Sequence, residues 1–238
     1  DASRDPPGTA AIYVDARGRN TIVIGPGANA ALSTDFLQQQ QALLTGAKVV
    51  LVQLESPVQT IEAALATARE AGVTTVLNTA PADAPSTIGL LKLADVITPN
   101  ETEFAALLGR HVGERVDAND VAALDGASLH ALCRKLVGNG TVVVTLGSVG
   151  VFVSHADENL RGDTQPYYRV GAEQVQAIDT TGAGDAFNGA LAASLAQVAD
   201  APFARHVRFA NQFAGRSTEK EGAAAAMPRF TPSDAEAK

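Results

Sequence analysis

The chain has 238 residues, of which 46% are hydrophobic and 18% are charged, and its formal net charge is −8. These proportions are typical of a soluble globular protein with a sizeable core, and the length fits one large domain or a domain with a small appendage. The negative charge, which no cluster of Lys or Arg offsets, argues against a nucleic-acid or anionic-membrane partner, and any phosphate would have to be bound by local geometry. The single cysteine, Cys133, supports no disulfide framework and favours a reducing, cytoplasmic location.

The first part of the chain predicts a hairpin followed by alternating helices and strands. Two short strands, Ala10–Val14 and Thr21–Ile24, flank a turn at residues 15–18. A helix is predicted to begin at Ser33 or Thr34 and to end at Gly46, and a second to begin with Ser56 as its N-cap and Pro57 as its first residue. Short apolar stretches predict buried strands at 48–54, 74–78 and 94–100.

The second half continues the alternation. Helices are predicted at 101–109, 128–140, 185–199 and 202–220, with a polar, irregular segment at 110–127 and a loose tail from residue 231. A buried strand is predicted at 141–146, and outer strands at 150–154 and 167–179. Together these elements predict an α/β fold in which a mainly parallel sheet is covered by helices on both faces.

Polar or glycine-rich turns follow five of the predicted strands. In open α/β sheets ligands bind beyond the carboxyl ends of the strands, so these turns are expected to meet at one edge. Any one of them could be ordinary turn chemistry, but five together indicate a site. They lie at residues 53–55, 78–81, 98–103, 145–148 and 179–185.

The segment DTTGAGDAF contains the strongest candidate chemistry. Gly182 and Gly184 let the backbone approach a ligand, and the N–H groups that open the following helix form a site for an anion. Asp185 stands beside that site, where a carboxylate can take a proton from an attacking hydroxyl. The alternative is structural: the glycines form a turn and Asp185 caps the helix.

Two further acidic residues have similar alternatives. Asn100 and Glu103 have the spacing of a capping box, which the residues by themselves favour, although Glu103 could instead order the water shell of Mg²⁺. Glu55 could stabilise a helix N-terminus or accept hydrogen bonds from substrate hydroxyls.

Several other site classes are disfavoured. The segment GPGANA, Gly25 to Ala30, matches a dinucleotide fingerprint, but its strand belongs to the hairpin and the helix begins after the motif. The sequence contains no P-loop motif and no G-x-S-x-G elbow. The four histidines show no metal-ligand spacing, so surface or packing roles are expected for His111, His130, His155 and His206.

The motifs together resemble those of the ribokinase-like (pfkB) sugar kinases. DTTGAGDAFNGAL resembles the C-terminal signature of that family, and GPGANAALS, QLESP, NTAPA, TPNETE and TLGSVGV occur in the family's order and approximate spacing, from about Gly8 to Pro228. The resemblance implies a three-layer α/β/α sandwich with a small β lid. It also implies ATP-dependent phosphorylation of D-ribose at O5.

The resemblance further implies a role for individual residues. Asp185 would be the catalytic base and would also contact the sugar, together with Glu55. The N–H groups of Gly182, Ala183 and Gly184 would form the anion hole, and Asn100 and Glu103 would act on Mg²⁺ through water. The ATP site would comprise Asn78, Thr145, Leu146, Gly147, Ser148, Val149, Gly150, Gly184 and Asn211. A monovalent cation, K⁺, would be bound by Asp179, Thr181, Ser217, Lys220, Gly222 and Ala226, mostly through backbone carbonyls.

The resemblance also implies a domain division and leaves alternatives. A lid hairpin is expected at 8–28, a core domain at 29–230 and a tail at 231–238, with a homodimer formed through the lid. The family's N-terminal segment, with its Gly-Gly…Asn sugar motif, has no counterpart in this sequence, so we expect the chain alone to be a poor kinase and the intact protein a kinase. The alternatives are a kinase for another small sugar or a nucleoside, a non-catalytic nucleotide-binding remnant, and a dinucleotide-binding protein.

Overall fold

The computed structural model describes residues 6–14 and 20–229. The predicted turn at 15–18 and the predicted tail at 231–238 lie outside the described residues. The strands are β1 (Thr9–Val14), β2 (Asn20–Gly25), β3 (Val49–Val52), β4 (Thr74–Leu77), β5 (Val96–Ile97), β6 (Thr141–Thr145), β7 (Gly150–Ser154) and β8 (Tyr167–Gly171). The helices are α1 (Thr34–Gln39), α2 (Gln41–Thr45), α3 (Val58–Glu70), α4 (Ile88–Leu93), α5 (Glu101–His111), α6 (Gly126–Leu136), α7 (Ala183–Gln197) and α8 (Phe203–Ser217).

Strands β3 to β8 form one sheet in which neighbours in sequence are neighbours in space. Strands β3, β4, β5 and β6 pair in parallel, and β7 and β8 continue the sheet as antiparallel neighbours. The expected mainly parallel sheet is therefore confirmed. Because the four parallel strands run the same way, the turns that follow them lie along one edge.

Alternate residues of the strands pack into two separate hydrophobic cores, one on each face of the sheet. Leu77, Ile97 and Val142 pack against α3 to α6, whereas Val76 and Val143 pack against α7 and α8 on the opposite face. Successive side chains of a strand point to opposite faces, which is why continuous apolar runs such as TVVVT contribute to both cores. The result is the three-layer arrangement that the sequence predicted.

Strands β1 and β2 pair with each other and form a separate two-stranded sheet. Tyr13 and Val23 are exposed on this hairpin, at 65% and 57%. The hairpin itself is confirmed, while its role as a lid stays a prediction.

Several element boundaries differ from those predicted. The helix expected over 33–46 begins as predicted after Ser33, whose hydroxyl accepts the N–H of Phe36 at 3.2 Å, but a non-helical Gln40 divides it into α1 and α2. Helix α3 begins at Val58, not Pro57, because Pro57 has an extended ψ of 129°.

Other differences concern the strands and the segments between them. The strand expected over 94–100 is regular only at Val96–Ile97, with one isolated bridge from Asn100 to Thr145 beyond it. The strand expected over 167–179 ends at Gly171. Helix α4, which begins after its N-cap Thr87, was not predicted. The segment 110–127 contains a 3₁₀ helix at Ala118–Ala123, and α6 begins at Gly126, two residues earlier than expected. No helix of the described ranges is long and apolar enough to cross a membrane.

Candidate active site

The turn before α7 has the geometry of an anion site. Gly182 is the N-cap in the left-handed conformation, with φ of 79°, which a residue with a side chain adopts only under strain. The N–H of Ala183 donates to the carbonyl of Thr180 at 3.2 Å. In the part of the chain that the structure describes, the N–H groups of Gly182, Gly184 and Asp185 have no backbone or side-chain acceptor. These donors, with the positive end of the helix dipole behind them, can stabilise an anion.

Asp185 is the third residue of α7 and is exposed. The interpretation of Asp185 as the helix N-cap is therefore wrong, since the N-cap residue is Gly182, which has no side chain. The apolar face of α7 is buried, with Phe187 and Leu191 in the core between the sheet and helices α7 and α8. Asp185 belongs to the same turn as the N–H groups without an acceptor, and it lines a cavity of about 350 Å³ together with Phe213 and Met227. An exposed carboxylate in this position can take a proton from a hydroxyl.

A cavity of about 400 Å³ adjoins this turn. It is lined by the predicted nucleotide-site residues Gly147, Ser148 and Asn211, together with Ala183. The segment after β8, from Ala172 to Val175, forms another wall that the sequence analysis missed. The only feature that could have identified this segment is its position after the end of a strand. That end was not recognised, because the strand was predicted to continue through residue 179.

Gly184, also predicted for the nucleotide site, is not among the described residues that line this cavity, and four others flank the turn of Gly147 and Ser148. Leu146 is buried and its N–H donates to the carbonyl of Gly150 at 2.8 Å, closing the turn that presents Gly147 and Ser148. Val149 is 51% exposed, and Thr145 donates its N–H to Pro99 at 2.9 Å. None of these four flanking residues is among those lining the cavity within residues 6–14 and 20–229.

Gly150 has a φ of 108°, and a Cβ there would lie 2.1 Å from the carbonyl oxygen of Val170. The glycine therefore lets β7 pair closely with β8 at the point where both strands meet the cavity. Asn211, on α8, fixes the end of β8 by donating from its amide to the carbonyl of Gly171 at 2.7 Å.

Asn100 and Glu103 form a capping box at the start of α5, as the residues by themselves predicted. The Asn100 side chain accepts the N–H of Glu103 at 2.9 Å, and Glu103 accepts the N–H of Asn100 at 3.1 Å. Glu103 also accepts the hydroxyl of Thr79 at 2.9 Å and the side-chain amide of Asn100 at 2.8 Å. Glu103 is only 5% exposed, and burial raises the pKa of its carboxyl group. Since its oxygens are engaged, any contact with Mg²⁺ would pass through water.

Asn78 does not line the nucleotide cavity in the described part of the chain. Its side-chain amide donates to the carbonyl and hydroxyl oxygens of Thr98, both at 3.3 Å, and its carbonyl oxygen accepts the N–H of Ala80. Asn78 thus holds the ends of β4 and β5 together.

Glu55 lies in a different cavity, of about 600 Å³. Pro26 and Asn29, from the segment after β2, share this cavity with Glu55 and with the exposed Asp83. Glu55 also precedes the N-cap of α3, so it is outside the first turn that it was expected to stabilise under the structural alternative. The sequence analysis did not identify Asn29 or Asp83, whose polar side chains could contact a substrate hydroxyl.

The residues predicted to bind a monovalent cation come from two loops that meet beside α7. The carboxylate of Asp179 accepts the N–H of Thr181 and the N–H of Gly222, each at 2.9 Å. The pKa of Asp179 is lowered, most by interaction with the Thr181 side chain and then by these two N–H groups. Ser217 and Ala226 are buried, and the Ser217 hydroxyl donates to the carbonyl of Ala214. Lys220 is exposed on the same loop.

Within residues 6–14 and 20–229, carboxylates, histidines and cysteine do not form a metal site by themselves. The described residues contain no group of three or more such side chains that could hold a metal ion. A cation beside α7 would therefore need backbone carbonyls, as the family resemblance implies.

The alternative of a dinucleotide site does not fit the geometry. The segment GPGANA follows β2, a strand of the separate hairpin, and forms a short 3₁₀ helix at Gly27–Ala31. A dinucleotide fingerprint requires a strand of the parallel sheet followed directly by an α-helix.

Three comparisons with known proteins match these features. The family model for pfkB family carbohydrate kinases matches residues 2–229. A ribokinase of Haemophilus influenzae is 37% identical over 228 residues, which cover 95% of this chain and 67% of that protein. A ribokinase of Staphylococcus aureus is 36% identical over 222 residues, which cover 93% of this chain and 66% of that protein.

A solved structure of Arabidopsis thaliana ribokinase, complexed with ribose and ATP, is similar with a TM-score of 0.77 at 28% identity. The match covers 94% of this chain and 67% of that structure. The chain therefore spans about two thirds of the length of the relatives it matches.

Proposed function

The chain belongs to the pfkB family of carbohydrate kinases, and on that premise we propose that the protein transfers the γ-phosphoryl group of ATP to O5 of D-ribose. The observation that carries the proposal is the first turn of α7, which combines the exposed Asp185 with N–H groups that have no acceptor among the described residues. Ala183 of the same turn lines the cavity of Gly147, Ser148 and Asn211. The sugar is proposed from the relatives, which are ribokinases, one of them solved with ribose and ATP.

In the proposed reaction one cavity binds ATP and the other binds the sugar. ATP would occupy the 400 Å³ cavity, with its phosphates directed to the start of α7. Asp185 would take the proton of the 5-hydroxyl as O5 bonds to the γ-phosphorus, and the bond to the bridging oxygen of ADP would break. The N–H groups of Gly182, Gly184 and Asp185 would stabilise the charge on the transferring group. Glu55 and its neighbours would hold the sugar.

Two cations complete the proposal. Asn100 and Glu103 would hold Mg²⁺ through water, and Mg²⁺ would neutralise charge on the phosphates. K⁺ would lie between the loops of Asp179 and Gly222, which already touch each other. We further propose that the hairpin of β1 and β2 is a lid through which two copies associate, and that the protein works in the cytoplasm.

The decisive experiment replaces Asp185 with Asn. Turnover of D-ribose and ATP, followed as ADP release with Mg²⁺ and K⁺ present, should fall by about 10²- to 10⁴-fold because the general base is lost. The dissociation constant for ATP, measured by calorimetry, should change by less than about threefold.

The matched control is Asp120→Asn, which removes an exposed carboxylate from a 3₁₀ helix outside the site and should leave turnover unchanged. Undiminished turnover in Asp185→Asn would contradict the assigned base. A wild-type protein that binds ATP but phosphorylates adenosine or another sugar in preference to D-ribose would contradict the assigned substrate.

A further inference from the structure

Asn188 is a buried polar residue of α7 to which the proposed chemistry gives no role. It is only 5% exposed, one turn beyond Asp185. Its carbonyl oxygen accepts the hydroxyl of Thr98 at 2.6 Å, and its amide donates to the carbonyl of Gly184 at 2.9 Å. Both the carbonyl oxygen and the NH₂ group of this buried amide are hydrogen-bonded. Loss of either partner would lower the stability of the protein, because it would leave a buried polar group unsatisfied.

The hydrogen bonds continue beyond Asn188 into the sheet. Thr98, at the end of β5, is 1% exposed, and its hydroxyl accepts the amide of Asn78 at 3.3 Å while it donates to Asn188. These hydrogen bonds form a series in which each group donates to the next, from the end of β4 through the end of β5 to α7. Such chains polarise their members and hold one geometry more firmly than isolated pairs.

The last hydrogen bond of this series, from the amide of Asn188 to the carbonyl of Gly184, lies in the anion site itself. The carbonyl of Gly184 and the N–H of Asp185 belong to one planar peptide group, so a bond that fixes the carbonyl also fixes the direction of that N–H. Gly184 cannot fix the plane itself, since it has no side chain and a Cβ there would meet nothing within 4 Å. Among the side chains of the described residues, only that of Asn188 bonds to this peptide.

We propose that Asn188 is a positioning residue, which orients the Gly184–Asp185 peptide and couples the first turn of α7 to the ends of β4 and β5. Its effect on catalysis rests on the proposed function, whereas its effect on the geometry of the turn does not. A small misplacement of a catalytic group costs on the order of 100-fold in rate, so the effect should appear in kcat.

Two variants test the chain of bonds at different points. Asn188→Asp keeps the shape and the acceptor for Thr98 but replaces the donor to Gly184 with an oxygen. Thr98→Val keeps the shape and the Asn188–Gly184 bond but removes the hydroxyl. The matched control is Ser194→Ala, which deletes a buried 2.8 Å bond to His206 nearer the other end of the same helix.

The first measurement is the split between kcat and KM, alongside the thermal midpoint. We expect kcat to fall about 100-fold in Asn188→Asp and about tenfold in Thr98→Val, with KM for ATP within about threefold. Ser194→Ala should lose stability yet retain kcat. Equal kcat in all three variants and the wild type would overturn the inference.

The second measurement needs no turnover and so separates this inference from the proposed function. Amide hydrogen exchange, followed by mass spectrometry, should accelerate at least about tenfold in peptides covering 182–187 of Asn188→Asp, because the first turn is released. Ser194→Ala should leave those peptides unchanged. Unchanged exchange at 182–187 in Asn188→Asp would overturn the inference even if the protein proves to act on another substrate.

Discussion

Gly182 and Gly184 stand two residues apart in the turn before α7, but the backbone needs them for different reasons. Gly182 has a φ of 79°, and a Cβ there would lie 3.2 Å from both Ala223 and Met227. Gly184 has ordinary helical geometry and open space around it. The first glycine is required by the fold, whereas the second leaves room for a ligand.

This difference predicts opposite outcomes for two matched substitutions. Gly182→Ala should destabilise the protein by about 1–2 kcal/mol, from left-handed strain. Gly184→Ala should leave the thermal midpoint unchanged or raise it, since alanine favours helix, yet lower turnover by at least about tenfold because a methyl group would obstruct the approach of the phosphoryl group and its donor. Thermal unfolding and steady-state turnover of both variants are the measurements. Full activity in Gly184→Ala would contradict a close approach of the phosphoryl group at that residue.

Helix α5 shows how one element can serve both stability and the site. Its capping box satisfies N–H groups that would otherwise be unpaired, and it does so with a carboxylate that is almost fully buried. Burial raises the pKa of Glu103 above its ordinary value of 4.5, while the bonds from Asn100 and Thr79 oppose that rise. The ionised carboxylate is therefore held in a site that disfavours its charge.

A stability comparison with Glu103→Gln tests this interpretation of α5. The raised pKa means that the stabilising contribution of Glu103 is complete below pH 4.5 and is lost as pH rises through the folded pKa. We therefore expect the free energy of unfolding of wild type, relative to Glu103→Gln, to decrease as pH rises above about 4.5. Urea unfolding at several pH values measures this difference. An increase of the difference with pH would show that the hydrogen bonds outweigh burial.

Across the whole molecule, all four histidines have a lowered pKa for the same reason. Burial lowers the pKa of His111, His130, His155 and His206 below the ordinary value of 6.5. His155 is fully buried, where it contacts Thr141 at 3.0 Å and Asp163 at 3.0 Å. The sequence analysis expected surface or packing roles for these residues, and the two most buried, His155 and His206, pack in the core.

This shared condition predicts how the stability of the protein depends on pH. The unfolded chain binds protons at its histidines from about pH 6.5 downward, whereas the folded chain resists doing so. The contribution of the histidines to stability should therefore be complete above pH 6.5 and fall as pH decreases through and below that value. Calorimetric unfolding at pH 6 in two buffers with different ionisation enthalpies should show proton uptake, with little uptake at pH 8 as the internal control. Net proton release at pH 6 would contradict the prediction.

The sequence by itself determined the alternation of strands and helices apart from α4 and the division between α1 and α2, the fold class, and the residues of the turn before α7. Alternation of apolar strands with amphipathic helices is local information, as are the capping signals at Ser33 and Asn100, and these were confirmed. The family followed from motifs whose order along the chain matched, and the comparisons support it.

Only the tertiary structure decided which strand ends share a cavity and which side chains link them. The segment after β8 became a wall of the nucleotide cavity because β8 ends at Gly171, held there by Asn211 from a distant helix. The bond between Thr98 and Asn188 joins residues 90 positions apart. No periodicity or spacing encodes such contacts, because they arise only when the sheet and the helix that covers it pack together.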